Sequence, residues 1–373
     1  MKVAFISVHR DITGYGKSAQ NFIMSLDAAG VEVVPVWLTL SGQPAASNSV
    51  IDRLEANDTQ NVDVVIQNII PSHFCRIEGV KNIGLFYWET DSFSGSEWQH
   101  HCNLMDEIWV VTEEQRQACI DSGVSVPVIV VDPPRDFSAY EKEYKEIQID
   151  PLIDETYKFY TISDLSYRKN VFGIVASFLS EFDCEDNVSL TVKGFVPGQT
   201  FAESFEYFEN SVKEIKKSLH KPEWAYPKIS FIDTRFSEQE MCSLHKTCDC
   251  YVSLSRGEGD GLPHFDAAGF KNICIYPYWN GPKSTLGETE HMPIKSLLKK
   301  RVVGQNNAIP KLYNADENWF EPSSSELSEH MRLVYENKEE FRERAERSYG
   351  PLKDKYDLKE AGKGLRGVLE KNG

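Results

Sequence analysis

The densest concentration of reactive groups in the 373-residue chain is the run Ser255-Arg-Gly-Glu-Gly-Asp-Gly-Leu-Pro-His-Phe-Asp266-Ala-Ala-Gly269. It follows the apolar stretch Tyr251–Leu254 and leads into a helical pattern, with Pro263 where a first helical turn tolerates a missing N–H. Glycines at 257, 259 and 261 remove side-chain obstruction and permit positive φ, so backbone N–H groups can converge on an anion at a helix N-terminus. Phosphate is the natural guest. Glu258 and Asp266 flank the loop, and carboxylates accept hydrogen bonds from hydroxyls, not from phosphates. An anion cradle between two acids therefore describes a nucleotide-sugar pocket better than a plain nucleotide one. The plainer alternative is an ordinary strand–helix turn capped by carboxylates. His264, directly after Pro263, reads as a packing or helix-start residue rather than a catalytic base.

The surrounding elements are those of a doubly wound sheet, met twice. Val3–Ser7 reads as a buried parallel strand; after a loop with Gly14 and Gly16, residues Ala19, Phe22, Ile23 and Leu26 recur at helical spacing, and Gly30 ends that helix. Strands are expected at Val31–Trp37, Val62–Ile69, Asn82–Trp88, Ile108–Thr112 and Val126–Val131, with a helix over Glu113–Ser122. The charged stretch Asp136–Glu155 lacks apolar periodicity and suits a connector. Beyond it the rhythm resumes with strands Lys158–Ser163, Ser189–Gly194, Ile229–Ile232 and Tyr251–Leu254. Helices are expected over Asn170–Phe182, Phe201–Leu219 and Glu238–Thr247, and two more close the chain at Ser325–Asn337 and Leu358–Leu369. The expected organisation is an N-terminal domain over 1–150, a second over 151–345 that carries the glycine-rich run, and a helical segment over 346–373 packing back toward the first.

Composition limits the function classes. With 40 Lys and Arg against 57 Asp and Glu the net charge is −17, a field that repels phosphate backbones and anionic headgroups, so nucleic-acid and membrane partners are disfavoured. Residues 1–150 hold 10 basic and 22 acidic groups and are the more acidic part. No apolar run approaches the length of a bilayer span and no signal peptide opens the chain, so a cytoplasmic location is expected. The eight cysteines show no C-x-x-C pair, and neighbouring His100 and His101 on one helix would point apart, so no metal site is expected. A Rossmann dehydrogenase is set aside because the first strand lacks G-x-G-x-x-G.

The glycine-rich run resembles that of the retaining glycosyltransferases of family 4, in which two acids eight positions apart bracket a G-x-G-L-P loop; here Glu258 and Asp266 hold that spacing around Gly259-Asp-Gly-Leu-Pro263, the second acid shorter by one methylene. Asp164-Leu-Ser-Tyr-Arg-Lys169-Asn-Val is similar to the family's G-R-L-x-x-x-K-G segment, with Lys169 in place and Asp164 at the arginine position. Tyr87-Trp-Glu-Thr-Asp91 and Asp106-Glu-Ile-Trp-Val-Val-Thr112 resemble the W-E-x-D and D-E-V-W-V stretches, Ile275-Tyr-Pro-Tyr-Trp-Asn-Gly281 the strand and turn near the donor, and Gly14-Tyr-Gly16 the first glycine loop. The resemblance implies a GT-B architecture, two Rossmann-like α/β domains facing across a cleft, and retaining, metal-independent, cofactor-free transfer of a sugar from a nucleotide diphosphate to an acceptor hydroxyl. It implies that Glu258 contacts the donor sugar and Asp266 the ribose. Gly259, Asp260, Gly261 and Leu262 would present backbone to the diphosphate, and Lys169 would hold it, with Arg168 replacing the absent arginine. Gly14 and Gly16 would close on the phosphates, and Glu89 and Asp91 would face the acceptor. Uridine and guanosine diphosphate sugars both suit the pocket. A soluble acceptor is favoured, and a hydroxymethylated DNA base is a minority option. The alternative is a GT-B protein that binds nucleotide sugars without turnover.

Overall fold

The computed structural model describes residues 1–39, 48–93, 96–150, 153–301, 313–314 and 316–371, with backbone alone at 300 and 301. Contacts divide the chain into two compact units: Met1–Phe137 with Arg301–Trp319 and Pro351–Gly373, and Ser138–Lys300 with Phe320–Gly350. The stretch 138–150, which sequence reading assigns to the N-terminal domain, falls in the second unit because Tyr140 and Tyr144 stack edge-on against Phe270 at 5.4 and 5.6 Å. The boundary expected at 150/151 adjoins residues 151–152, which lie outside the described residues.

The first unit is a six-stranded parallel sheet, β1 (Lys2–Ser7), β2 (Glu32–Trp37), β3 (Val64–Asn68), β4 (Lys81–Leu85), β5 (Glu107–Val110) and β6 (Val128–Val130), in the order β2-β1-β3-β4-β5-β6. Near-continuous burial of β1, β3 and β5 is what a sheet covered on both faces requires. Helix α1 (Gly14–Ala28) starts where the Thr13 side chain accepts from the Gly16 N–H at 3.0 Å, and stops before Gly30 at φ +77°. Short helices α2 (Ser49–Glu55) and α3 (Trp98–Cys102) and the longer α4 (Glu113–Asp121) complete the crossovers.

The second unit repeats the plan with β7 (Tyr157–Asp164), β8 (Val188–Phe195), β9 (Lys228–Ile232), β10 (Cys250–Val252), β11 (Ile273–Pro277) and β12 (Met292–Ile294), all parallel, in the order β12-β11-β10-β7-β8-β9. Between and beside these strands run α5 (Val171–Glu181), α6 (Phe201–Leu219), α7 (Glu238–Thr247), α8 (Leu262–Gly269), α9 (Asn280–Leu286) and α10 (Ser324–Glu336). Counted within the unit this is the Rossmann order 3-2-1-4-5-6, whereas the first unit follows the flavodoxin-like 2-1-3-4-5 pattern with a sixth strand. Capping boxes at Thr200–Glu203 and Ser237–Glu240 set the starts of α6 and α7.

A ribbon of β13 (Leu297–Arg301) and β14 (Asn318–Pro322) follows, and α11 (Lys338–Tyr356) and α12 (Leu358–Lys371) close the chain. Sequence reading anticipates α10 and α12, and its helical segment over 346–373 covers the second half of α11; the first half is hidden by a polar face around the buried positions Phe341 and Ala345. In the first unit α12 lies against α1: Leu365 and Leu369 join its core, and a Cβ on Gly362 would sit 2.2 Å from the Ser25 carbonyl oxygen. Among the described residues no helix is long and apolar enough to cross a membrane.

Candidate functional site

In the second unit the winding direction reverses between β7 and β10, the place where open α/β sheets open a crevice beyond their carboxyl ends. The loops leaving those two strands are 165–170 and 253–261, and they are stitched together. The Arg256 N–H donates to the Arg168 carbonyl at 2.8 Å, and the Arg168 guanidinium donates back to the Gly257 carbonyl at 2.5 Å. Lys169 Nζ lies 2.6 Å from Glu258 Oε1, while Arg168 Nη1 stands 4.0 Å from Oε2. Three charged groups that sequence reading selected from positions about ninety residues apart are thus brought together.

Local chain chemistry explains the convergence. Asp164 Oδ1 accepts the Ser166 N–H at 2.9 Å, an Asx turn at the end of β7, so this acid turns the chain. Asn170, at φ +54°, then starts α5 in the left-handed region that asparagine tolerates, immediately after Arg168 and Lys169. On the facing loop, Arg256 is held by a bidentate pair with Glu321 at 2.8 and 2.7 Å, by the Tyr167 carbonyl and by the Tyr167 ring. Arg256 is therefore a brace with its donors committed, and Glu258 emerges two residues beyond it.

Gly261 takes φ +76° at the start of α8, and a Cβ there would sit 2.9 Å from Pro282 Cγ. The turn into α9 comes equally close: the Gly281 N–H reaches the Glu258 carbonyl at 3.4 Å, and a Cβ on Gly281 would meet the Asp260 carbonyl at 2.5 Å. Leu262 and Pro263 open the first turn of α8, and the His264 and Phe265 N–H groups close that turn onto the Gly261 carbonyl at 3.0 and 3.2 Å, so the positive end of the helix faces the loop 259–261. Trp279 packs on Phe320 at 3.9 Å between ring centres.

Burial raises the pKa of Glu258, but the charges of Lys169 and Arg168 and the Lys169 hydrogen bond outweigh it and hold the carboxyl at about 2. Glu258 is ionised throughout the physiological range. It can accept hydrogen bonds or stabilise positive charge; it cannot donate a proton. His264 is 1% exposed in the first turn of α8; its ring nitrogens pair with no side chain among the described residues, and the Gly261 backbone is the polar group beside them.

Asp266 lies four residues beyond Leu262, about 6 Å along the helix axis, and its Oδ1 accepts the Tyr140 hydroxyl at 2.6 Å. Gly269 makes that possible, since a Cβ there would sit 2.6 Å from the Tyr140 ring. A cavity of about 540 Å3 in the same unit lies at the carboxyl end of α8, lined among others by Tyr140, Lys246, Phe270 and Tyr349, and includes none of the loop residues 165–170 or 253–262.

Four expected residues belong to the first unit. Gly14 and Gly16 form the first turn of α1, and a Cβ on Gly16 would sit 2.1 Å from the Asp11 carbonyl oxygen, so this glycine serves a tight backbone approach. Glu89 accepts the Tyr313 hydroxyl at 2.9 Å. Asp91 accepts both the Asn318 N–H at 2.8 Å and its side-chain amide at 2.9 Å, so both carboxylate oxygens hold the returning segment in place. Among the described residues no group of three His, Cys, Asp or Glu is placed to hold a metal ion.

Sequence reading missed the Glu321 brace, the Gly281 contact and the Tyr140 bond to Asp266. Only Gly281 carried a local signal, as a glycine after a strand-end aromatic pair. The others depend on separations of 65 and 126 residues.

No protein-family model matches the chain, and no curated protein matches it. Solved structures match in fold. HepE of Anabaena in complex with UDP and glucose is 14% identical with a TM-score of 0.63, covering 100% of both chains. Trehalose-6-phosphate synthase OtsA is 12% identical with a TM-score of 0.67, covering 99% of both. An E. coli trehalose-6-phosphate protein bound with UDP-2-fluoro glucose is 11% identical with a TM-score of 0.66, again covering 99% of both. The chain thus has the GT-B fold, two Rossmann-like α/β units, that these structures share.

Proposed function

We propose that this chain is a glycosyltransferase that moves a sugar from a nucleoside-diphosphate sugar to an acceptor hydroxyl with retention of anomeric configuration. The observation that carries the reading is the Lys169–Glu258 pair at the switch point of the second sheet, with Arg168 beside it and the N-terminus of α8 opening onto the same loop. Lys169, Arg168 and the positive end of the α8 dipole neutralise the diphosphate as it becomes a leaving group, the task a divalent cation performs elsewhere. Glu258, ionised, accepts hydrogen bonds from the donor sugar and faces the positive charge that develops at its anomeric carbon. Asp266 reaches the ribose hydroxyls while Tyr140 holds one of its oxygens. In the transfer the bond from the anomeric carbon to the phosphate oxygen breaks and the acceptor oxygen bonds to that carbon on the same face. The acceptor proton passes to the departing phosphate oxygen, so the balance closes without a protein nucleophile or a cofactor.

UDP and UDP-linked sugars occupy structures of the same fold, which ranks uridine donors ahead of guanosine donors here. The net charge of −17 favours a soluble, uncharged acceptor over nucleic acid. A second reading, nucleotide-sugar binding without turnover, draws on Asp164, which turns the chain where the family's arginine would stand. A panel of UDP-, GDP- and ADP-sugars separates the two. The transferase reading expects a selective thermal shift together with slow release of free nucleotide by donor hydrolysis. A selective shift with no release would favour the binding protein, and no shift with any donor would overturn both.

A further inference from the structure

His264 is a buried ionisable group of the α8 entry that the proposed transfer does not use. Its ring lies edge-on to Tyr251 on β10 at 5.0 Å and to Tyr276 on β11 at 6.5 Å; neither nitrogen pairs with another side chain among the described residues, and the Gly261 backbone beside the ring favours its protonated form. Its own carbonyl accepts from the Cys274 thiol at 3.5 Å. From α9 the neighbour of the adjoining Gly261 is Pro282, which carries no charge. The charged groups facing the ring are Glu258, which favours its protonated form, and Lys169, which opposes it. Tyr251, Tyr276 and Cys274 are pushed upward by burial and stay neutral. Burial outweighs Glu258 and keeps the imidazole neutral, with a pKa lowered to about 4, while Lys169 remains on Glu258.

A bound diphosphate changes that balance. It adds negative charge beside Lys169 and competes with Glu258 for the ammonium, and both effects favour the imidazolium form of the ring behind them. We propose that His264 is a positioning residue that takes up a proton when a nucleoside-diphosphate sugar binds, and that as an imidazolium it holds Glu258 in place once the diphosphate draws Lys169 toward itself. This inference rests on the donor site proposed above. The sign follows from linkage: the ring's pKa is higher in the complex than in the free protein, so donor binding strengthens as pH falls toward the free value and weakens as pH rises through the bound one. At full uptake the dissociation constant changes about tenfold per pH unit.

The test is calorimetric titration of the full chain with UDP-glucose and with GDP-mannose, from about pH 5 to pH 8 in pairs of buffers of different ionisation enthalpy. Both donors are phosphodiesters that do not themselves titrate in this range. The expected result is uptake approaching one proton in the acid part of the range, with His264→Asn and His264→Gln still binding donor but taking up less than a third as much. Glu258→Gln, which removes the charge facing the ring, lowers the uptake as well, and it supplies the test if the histidine variants do not fold. Donor binding with no uptake, or with equal uptake in the wild type and the variants, overturns the role of His264 and leaves the donor site standing. Failure of every donor to bind the wild type overturns both.

Discussion

The two sheets each present a first-strand loop at their switch point, and the two loops use their charges differently. In the first unit Ser7 Oγ lies 2.9 Å from His9 Nδ1, and His9 Nε2 lies 2.8 Å from Glu55. Arg10 forks onto Glu55 at 2.9 and 2.5 Å and onto Asp52 at 2.6 Å. That acid is matched by a guanidinium and an imidazole whose partners lie within the unit, a closed network that ties α2 to the end of β1. In the second unit Glu258 relies on Lys169 and a more distant Arg168, cations a diphosphate would compete for, and the ring nitrogens of His264 pair with no side chain among the described residues. Similar topology therefore yields a closed network in one unit and, in the function proposed above, a site open to a diphosphate in the other.

The largest expected effect sets one acid against the other. Glu258→Ala should lower nucleotide release from a competent donor by about 10²–10³-fold, the usual loss when one preorganised electrostatic group is removed. Glu55→Ala should leave that rate within about threefold while reducing stability by about 1–2 kcal/mol, read from urea unfolding. Equal losses of activity would erase the distinction between closed network and site. Next in size, Lys169→Ala should weaken donor binding about 10- to 100-fold, roughly 1.4–2.8 kcal/mol by titration calorimetry.

Two glycines at nearly the same φ sharpen the comparison further. Gly261→Ala meets both φ +76° and Pro282 at 2.9 Å and should cost about 1–3 kcal/mol. Gly30→Ala, at φ +77° with its nearest neighbour a side-chain end 3.7 Å away, should cost about 1 kcal/mol, and thermal melts of the two variants rank them.

The pH slopes of the two units have opposite sign. Lys169 and Arg168 overcome burial and hold Glu258 at about 2, below its ordinary 4.5, so its contribution to stability is complete above about pH 4.5 and is lost as pH falls toward 2. In the first unit Glu317 is raised by burial to about 7, with Asp91 and Glu89 adding to the rise. Its contribution is complete below about pH 4.5, declines as pH rises toward 7 and is level above that. Glu317→Gln should flatten the second slope without touching the first, which hydrogen exchange resolved by unit would detect.

What was legible in the sequence follows the range of the interactions. The strands β1 to β10 and the helices α1, α4, α5, α6, α7, α10 and α12 rest on local periodicity and caps, and they read correctly. The short α2, α3 and α9 have too few turns to show a period, and the first half of α11 is hidden by its polar face. At the site, Glu258, Lys169 and Arg168 were legible because each is fixed by its own strand-end loop, and the sheet order then brings the loops together. The bonds of Asp91 were not legible, since its spacing alone cannot reveal that Asn318, more than two hundred residues on, donates to both its oxygens. His264 shows the opposite limit: its position was plain, but its lack of side-chain hydrogen-bond partners among the described residues appears only after α8 packs on β10 and β11.

The central claim, that donor chemistry belongs to the second unit's switch point, is tested most directly by photolabelling with azido-uridine and azido-guanosine diphosphate sugars, followed by mass-spectrometric mapping. The predicted result is saturable labelling, blocked by excess unmodified donor, on peptides from the strand-end loops around 164–170, 195–199, 253–262 and 278–283. Blockable labelling confined to the first unit, or none with either probe, would contradict it.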